Sequence, residues 1–486
     1  MILMRVVERG LGFVSTLLLA RLLVPADFGL VAMAMSVFAL LEVLGSFSFD
    51  MALIQNQQAE RKHFDTAWTL AVIYGVVSGM GLIALAWPAA TFFGESRLVP
   101  IFFALAAGGL VQSFKNVGVI AFQKELDFRK EFNFRAARKL VEFTVTITLA
   151  LWLRSYWALV IGALSGRVAG TAISYLIHPY RPRLSLASVR ELWSFSAWML
   201  VNNIIVYAAV SGYDFIIGRV AGSRSLGLYS VAYEISNLPT TELVMPVSRA
   251  IFPGFAKLSH DRQGLENALL NAASLVALIT FPLGAGIAVL AEPAVRLILG
   301  VKWLEAIPLI QILAVYGIIR SAHAGTGPAY IAIGAQRAIA MINLPHLVVG
   351  WPLIVLLVPK LGLIGAGYAV LTASVVGTSI NLYLSRRLLA VPTRKLAACF
   401  WRPFVAVSAM VAIELAMLHR WPLEATVGGL LVQTLLFVAA GATVYIGVVM
   451  ALWLASGKPA GGEQIVLAQV LRRSCLMFER CARKAA

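Results

Sequence analysis

The sequence predicts an all-α polytopic membrane protein of about fourteen transmembrane helices, and three observations predict it. Of its 486 residues, 60% are hydrophobic and 13% charged, against roughly 45–50% and 25% in soluble domains. The apolar residues fall in long runs. About fourteen runs of roughly 22 residues would occupy most of the chain, one bilayer crossing needing about 20. Lys and Arg gather between alternate runs, as expected of a chain that crosses and recrosses a membrane. Too little length remains for a folded domain outside the bilayer, which excludes an ordinary soluble enzyme.

In chain order, the first two runs, 3–24 and 28–49, are parted by a Val-Pro-Ala-Asp turn. Run 67–92 follows the polar stretch holding Arg61 and Lys62, and 98–121 follows Gly94-Glu95-Ser96-Arg97. Run 140–153 is short and must borrow from its basic flank. In 156–177, Gly162, Gly166 and Gly170 form a stripe at four-residue spacing, the pattern of close helix contact. Runs 194–218 and 227–248 are parted by Ala-Gly-Ser-Arg-Ser. Runs 268–290, 306–330, 338–358 and 362–384 are bounded by charges or Gly/Pro breaks. Runs 403–418 and 423–455 close the series, the last long enough to kink near Gly441. The GLIGAG of 362–367 is no nucleotide loop, because it opens a membrane span with no strand before it.

Two basic stretches read as amphipathic helices lying in the membrane interface. In 123–139, Phe128 and Phe132 stand four apart among six basic residues. In the tail, Leu467, Val470, Leu471 and Phe478 share a face opposite Arg472, Arg473, Arg480 and Lys484.

With the N-terminus inside, 28 of the 40 Lys and Arg become cytoplasmic and nine external, leaving Lys115, Arg167 and Arg320 within spans. This asymmetry places both termini in the cytoplasm. The formal charge of +17 is then topology and attachment to anionic lipid, and nucleic acid is not a partner. No cleavable signal peptide is expected, since apolar runs simply continue. The three cysteines, Cys399, Cys475 and Cys481, have no disulfide or zinc spacing, and neither metal nor cofactor is expected.

The chain also repeats itself. Segment 20–34, ARLLVPADFGLVAMA, echoes 218–232, GRVAGSRSLGLYSVA: at a shift of 198, Arg21 matches Arg219, Gly29 matches Gly227, Leu30 matches Leu228 and Ala34 matches Ala232. A weaker echo pairs Gly170, Thr171 and Ile173 with Gly377, Thr378 and Ile380. Six spans per unit is even, so the halves keep one orientation about an axis along the membrane normal, an arrangement transporters use. The division is a six-helix lobe 1–193, a second six-helix lobe 194–390, an additional helix pair 391–455, and a basic amphipathic tail 456–486. The two lobes are expected to be related by pseudo-twofold symmetry.

LARLLVPADFGLVAMA (19–34), FDMALIQ (49–55), AFQKELDFR (121–129) and YDFIIGRVAGSRSLGLYSVAYEI (213–235) resemble the polysaccharide-export branch of the MOP flippase superfamily, over roughly residues 10–390. The resemblance implies a multi-pass bacterial inner-membrane transporter. It would flip undecaprenyl-pyrophosphate-linked oligosaccharide repeat units for lipopolysaccharide, capsule or exopolysaccharide assembly, by alternating access. Its partners would be that lipid-linked oligosaccharide, membrane lipids, and a polysaccharide polymerase with its export machinery.

Ionisable groups within spans cost about 2.5–3.5 kcal/mol on insertion scales, and so face a cavity or a partner. Toward the pyrophosphate that the resemblance implies, the candidate cations are Arg167, Arg320, Lys115, Arg21, Arg219 and Arg249. Arginine suits such an anion through its bidentate fork, lysine as a point charge. Arg21 and Arg219, repeat mates at helix exits, read equally well as interfacial anchors. Glu234, Glu242, Asp214 and Glu42 are candidates for ion coupling, a buried acid being able to carry a proton or hold sodium. Internal ion pairing is the simpler account of these carboxylates. Rival functions on one fold are a multidrug or cation antiporter and a lipid II flippase. A membrane-embedded polymerase would need catalytic residues in a water-facing loop, and the longest external connection is only about 15 residues.

Overall fold

The computed structural model describes residues 2–44, 60–125, 127–189, 211–239, 260–323, 325–335, 337–459 and 461–464, with isolated positions outside these. Among the described residues the regular structure is entirely helical. Nine helices there are long and apolar enough to cross a membrane, ten if one bent pair counts as a single span. The chain is thus a multi-pass membrane protein. The boundary near 193, residues Glu242 and Arg249, and the tail beyond 467 lie outside the described residues.

By contact the chain divides into two compact units. The first comprises Met1–Val231, Ile298–Trp303 and Trp351–Ala366; the second comprises Ala232–Leu297, Leu304–Gly350 and Gly367–Ala486.

In the first unit, α1 (Ile2–Leu22) and α2 (Pro25–Leu44) meet at the Pro-Ala-Asp turn. There proline occupies the first helical position, where its missing N–H costs nothing. Trp303, 0% exposed, donates its indole N–H to the Ala20 carbonyl at 2.8 Å and meets the Phe28 ring edge-on. The helices α3 (Arg61–Phe93), α4 (Leu98–Ser113), α5 (Phe128–Leu153) and α6 (Trp157–Ile177) follow. Lipid tails are as apolar as leucine, so association between such helices rests on close packing. The glycine stripe of α6 provides it: a Cβ on Gly162 would stand 2.8 Å from Thr146 Cβ, one on Gly166 3.0 Å from Glu142 Cβ, and one on Gly170 2.9 Å from Arg138 Cδ.

Two expectations are corrected here. Run 98–121 is not one helix: α4 ends at Ser113, and the chain turns through 71° into Val117–Lys124. The cause is Asn116, fully buried. Its side-chain oxygen accepts the Gly118 N–H at 2.9 Å, and its amide donates to the carbonyls of His178 (3.3 Å) and Tyr180 (2.7 Å). Nor is 123–139 a separate interfacial helix. From Phe128 onward it is the first half of α5, which runs 26 residues to Leu153 without a break. Asp127 caps it by accepting the Lys130 N–H at 3.1 Å, and no proline or glycine parts its basic half from its apolar half. The short run 140–153 gains its length in this way.

The extended segment after α6 is stitched to the start of α3. Tyr180 donates its hydroxyl to Asp65 at 2.5 Å, Arg183 its backbone N–H to the same carboxylate at 2.8 Å, and Ser185 its N–H to Thr69 at 2.9 Å. Burial, and then Asp65, raise the Tyr180 phenol well above the usual tyrosine range. Burial lowers the His178 imidazole below its ordinary value.

Helix α7 spans Gly212–Pro239 and contains one non-helical residue, Gly222, at φ 78°, a left-handed conformation open to glycine. That break falls in the expected Ala-Gly-Ser-Arg-Ser connection.

In the second unit, α8 (Arg262–Val289) packs with two helices near the C-terminus, α9 (Thr393–Arg420) and α10 (Val427–Ala455). Tyr445 donates to the Leu278 carbonyl at 2.8 Å. Gly441 of α10 lies against the carboxylate of Glu414 of α9, which is 2% exposed, so its lack of a side chain serves the close approach of the two helices, and α10 runs on through it. Arg402 and Glu463, both buried, pair at 2.8 Å and fix the segment after α10. Tyr330 is fully buried and bonds Asn381 and Ser385 at 3.0 Å each.

Candidate functional site

Among the described residues, each unit sets an arginine among its apolar helices, Arg167 in the first and Arg320 in the second. In the first unit the cluster surrounds Arg167, placed mid-helix in α6. Its guanidinium carbon stands 4.2 Å from the centre of the Phe38 ring on α2, a cation–π distance. Its Cδ and Nη1 would lie 3.3 and 3.4 Å from a Cβ on Gly108 of α4, so that glycine makes the room the side chain occupies. Glu42, one turn beyond Phe38, and Glu142 of α5 are near enough to act on Arg167 electrostatically. No carboxylate among the described residues lies within ion-pair distance of it, and Glu142 pairs at 2.8 Å with Lys139 instead. Arg167 is therefore a half-buried cation steadied by an aromatic face, its Nη1 also reaching the Leu105 carbonyl at 3.5 Å.

In the second unit the cluster surrounds Arg320, near the end of the helix Ile307–Ser321. Its Nη1 donates to the Tyr233 hydroxyl at 3.1 Å. The ring centres of Tyr233 and Tyr316 are 6.2 Å apart, and those of Tyr316 and His346 6.3 Å. His323 bonds the Thr378 hydroxyl through Nε2 at 2.8 Å. No carboxylate among the described residues lies within ion-pair distance of Arg320. A cation held by hydroxyls and rings keeps its charge, whereas a carboxylate partner would neutralise it.

The other sequence-derived candidates are scattered. Arg21 is exposed and donates Nε to the Ile298 carbonyl at 2.8 Å, beside the Trp303 anchor. Arg219 is exposed, its guanidinium 5.7 Å from the Phe92 ring centre, three residues before the Gly222 break. Lys115 lies in the bend after α4, against a small cavity. Asp214 is half-buried in the first turn of α7. Glu234 and Glu42 are exposed along their helices. Sequence reasoning found Arg320 but not Tyr233, Tyr316 and His346 around it. An aromatic residue in an apolar run carries no signal of its own; a tyrosine mid-span, whose hydroxyl needs a partner, is the clue that was present.

A family model described as "Polysaccharide biosynthesis protein" matches residues 18–308. The lipopolysaccharide biosynthesis protein WzxC of Escherichia coli (strain K12) is 27% identical over 404 residues, 81% of either chain. The succinoglycan biosynthesis transport protein ExoT of Rhizobium meliloti (strain 1021) is 26% identical over 313 residues, 63% of this chain and 62% of its own. Among solved structures, the lipid II flippase MurJ in an inward closed conformation superposes with a TM-score of 0.74 at 14% identity, covering 94% of this chain and 99% of its own. An inward-facing multidrug resistance MATE family transporter of the MOP superfamily superposes at 0.63 with 17% identity, covering 79% of this chain and 94% of its own. These two likenesses show the fold.

Proposed function

The chain belongs to the polysaccharide biosynthesis protein family, and from that premise we propose that it flips undecaprenyl-pyrophosphate-linked oligosaccharide repeat units across the bacterial inner membrane. The units would feed lipopolysaccharide, capsule or exopolysaccharide assembly, and the chain would act as a transporter by alternating access. Flippases for lipid II and multidrug transporters share the fold, so fold does not choose between them. The match over 18–308 and the names of WzxC and ExoT support the polysaccharide substrate.

The observation that carries the chemistry is Arg320, held by the Tyr233 hydroxyl with no carboxylate beside it among the described residues. A pyrophosphate loses its hydration in transit and needs such a cation. In this reading Arg167 and Arg320 meet the pyrophosphate. Arg21 and Arg219 guard helix exits, and Arg249 receives the headgroup. Glu234, Glu242, Asp214 and Glu42 are the carboxylates for ion coupling. The full architecture would be fourteen helices: six-helix lobes 1–193 and 194–390 related by a pseudo-twofold axis, a pair in 391–455, and a cytoplasmic tail 456–486. Both termini are cytoplasmic, and a polymerase with export machinery receives the product outside.

The test is a deletion strain. Lipid-linked repeat units should accumulate on the cytoplasmic leaflet and surface polysaccharide should disappear, with both restored by the gene on a plasmid. Normal surface polysaccharide in the deletion strain would refute the proposal.

A further inference from the structure

At the bend after α4 the chain builds a cavity of about 230 Å³, lined by Lys115, Phe122, Gln123, Glu131, Arg135 and Arg138 among others. All of these belong to the first unit. The cavity stands where α5 turns from basic to apolar: five basic residues of the helix precede Leu140, and LVEFTVTITLALWL runs on from it. That is the level at which a helix meets the phosphates of a bilayer leaflet.

Its electrostatics are unbalanced. Arg135 is matched by Glu131 at 2.8 Å. Lys115 and Arg138 have no ion pair among the described residues, which leaves two uncompensated positive charges around one small space. Glu131 is 4% exposed, and its Oε1 accepts from the Gln123 amide at 2.9 Å. Its Oε2 is buried with no hydrogen-bond partner. Such an atom is costly unless a donor reaches it. The cavity thus offers cations for a phosphate and an unused acceptor for a hydroxyl. Drug-sized ligands take roughly 300–1,000 Å³, so this volume suits a headgroup fragment and excludes a whole oligosaccharide.

We propose that this cavity is a lipid-headgroup site, distinct from the Arg167 cluster, that takes the phosphate of a membrane lipid together with a neighbouring hydroxyl. Two lipids carry that chemistry: a phospholipid with a polyol headgroup, and a prenyl-pyrophosphoryl sugar. The second alternative rests on the transport reading above, and the first does not. Binding to purified protein is independent of export, so failure of one proposal leaves the other standing.

The experiment uses the full chain in detergent and native mass spectrometry. The probes are phosphatidylglycerol, a short-chain prenyl-pyrophosphoryl sugar, phosphatidic acid, phosphatidylcholine and inorganic phosphate. Wild type should retain one or both of the first two. Affinity for the retained lipid should fall at least tenfold in the Lys115→Gln/Arg138→Gln double variant and stay unchanged in Arg386→Gln. Phosphatidylcholine should not bind, and phosphatidic acid, lacking the alcohol, should bind more weakly than phosphatidylglycerol.

Preference for the pyrophosphoryl sugar would make the cavity a loading site for transported lipid; preference for phosphatidylglycerol would make it a resident-lipid site. Retention of inorganic phosphate alone, or equal lipid retention by wild type and the double variant, would overturn the proposal. Should the variant not fold, a photoactivatable phosphatidylglycerol and a photoactivatable prenyl-pyrophosphoryl sugar on the unaltered protein decide the matter. Labelling of peptides within 115–138 by either supports the site, and labelling by neither refutes it.

Discussion

Gly29 and Gly227 lie backbone to backbone within the first unit, and the contact is reciprocal. A Cβ on Gly29 would fall on the Ser223 carbonyl oxygen and stand 2.8 Å from the Gly227 nitrogen. A Cβ on Gly227 would fall on the Pro25 carbonyl oxygen and stand 2.9 Å from the Gly29 nitrogen. The sequence repeat that equates Gly29 with Gly227 also equates Pro25 with Ser223. A contact in which each residue meets its mate, and each mate's neighbour in turn, is what a twofold axis generates.

Because the close approach is to backbone, a side chain there has no rotamer by which to escape. Gly29→Ala or Gly227→Ala should destabilise the protein by at least the overpacking cost of about 1–3 kcal/mol. Gly428→Ala, where a Cβ meets nothing within 4 Å, should be neutral. Thermal unfolding of the purified variants checks this; melting temperatures for Gly29→Ala and Gly227→Ala equal to that of Gly428→Ala would contradict the tight crossing.

Arg320→Ala and Arg167→Ala should each lower export sharply while leaving protein abundance intact. A charge-assisted hydrogen bond is worth about 1.5–3 kcal/mol, which corresponds to roughly a ten- to hundredfold loss. Tyr233→Phe removes only the hydroxyl that orients Arg320 and should cost less. Surface polysaccharide in a complemented deletion strain is the measurement, and full export by both arginine variants would return them to a packing role.

Asn116→Ala should undo the bend after α4. It leaves the Gly118 N–H without its side-chain acceptor and the His178 and Tyr180 carbonyls with the Arg181 guanidinium as their remaining side-chain donor, at about 1–3 kcal/mol for a group that stays dry. The expected result is a lowered melting temperature together with protease cleavage opening within 114–120. Resistance equal to wild type would show that the bend persists without Asn116.

The His178 imidazole gives a pH dependence. Burial lowers its proton affinity, Lys130 and Arg181 add to the lowering, and Glu125 opposes it. Its Nδ1 also accepts the Tyr180 N–H at 3.2 Å, a bond that protonation of that nitrogen abolishes. Below the unfolded value of about 6.5 the unfolded chain binds more protons than the folded one. The stability contributed by neutral His178 is therefore complete above that pH and is lost as pH falls through the lowered folded value. The melting temperature should drop between pH 7 and pH 5, and less steeply in His178→Gln; parallel curves would remove His178 as the cause.

Much of this was legible in the sequence. Composition alone announced the membrane, the Gly162/Gly166/Gly170 stripe announced a close helix pair, and the Ala-Gly-Ser-Arg-Ser connection marked the break at Gly222. The bend at Lys115 was not legible, because hydropathy adds up residues and cannot see that Asn116 binds carbonyls some 60 positions away. That run 140–153 borrows from its basic flank was legible, but that the flank is part of the same helix back to Phe128 was not: a helix ends where its capping and backbone hydrogen bonds end, and polarity along its face can change long before. Around Arg320 the charge was visible but its setting was not, since Tyr233 lies 87 residues earlier.

The unbroken course of α5 makes it a depth gauge. At 1.5 Å per residue its 26 residues span about 39 Å, against a hydrocarbon core of about 30 Å. With one rigid rod carrying both the apolar length and the basic collar, the collar cannot shift toward water without drawing the apolar portion after it. Bilayer thickness is thereby coupled to the height of Arg138 and, through the Gly170 contact, to the seating of α6 and its Arg167.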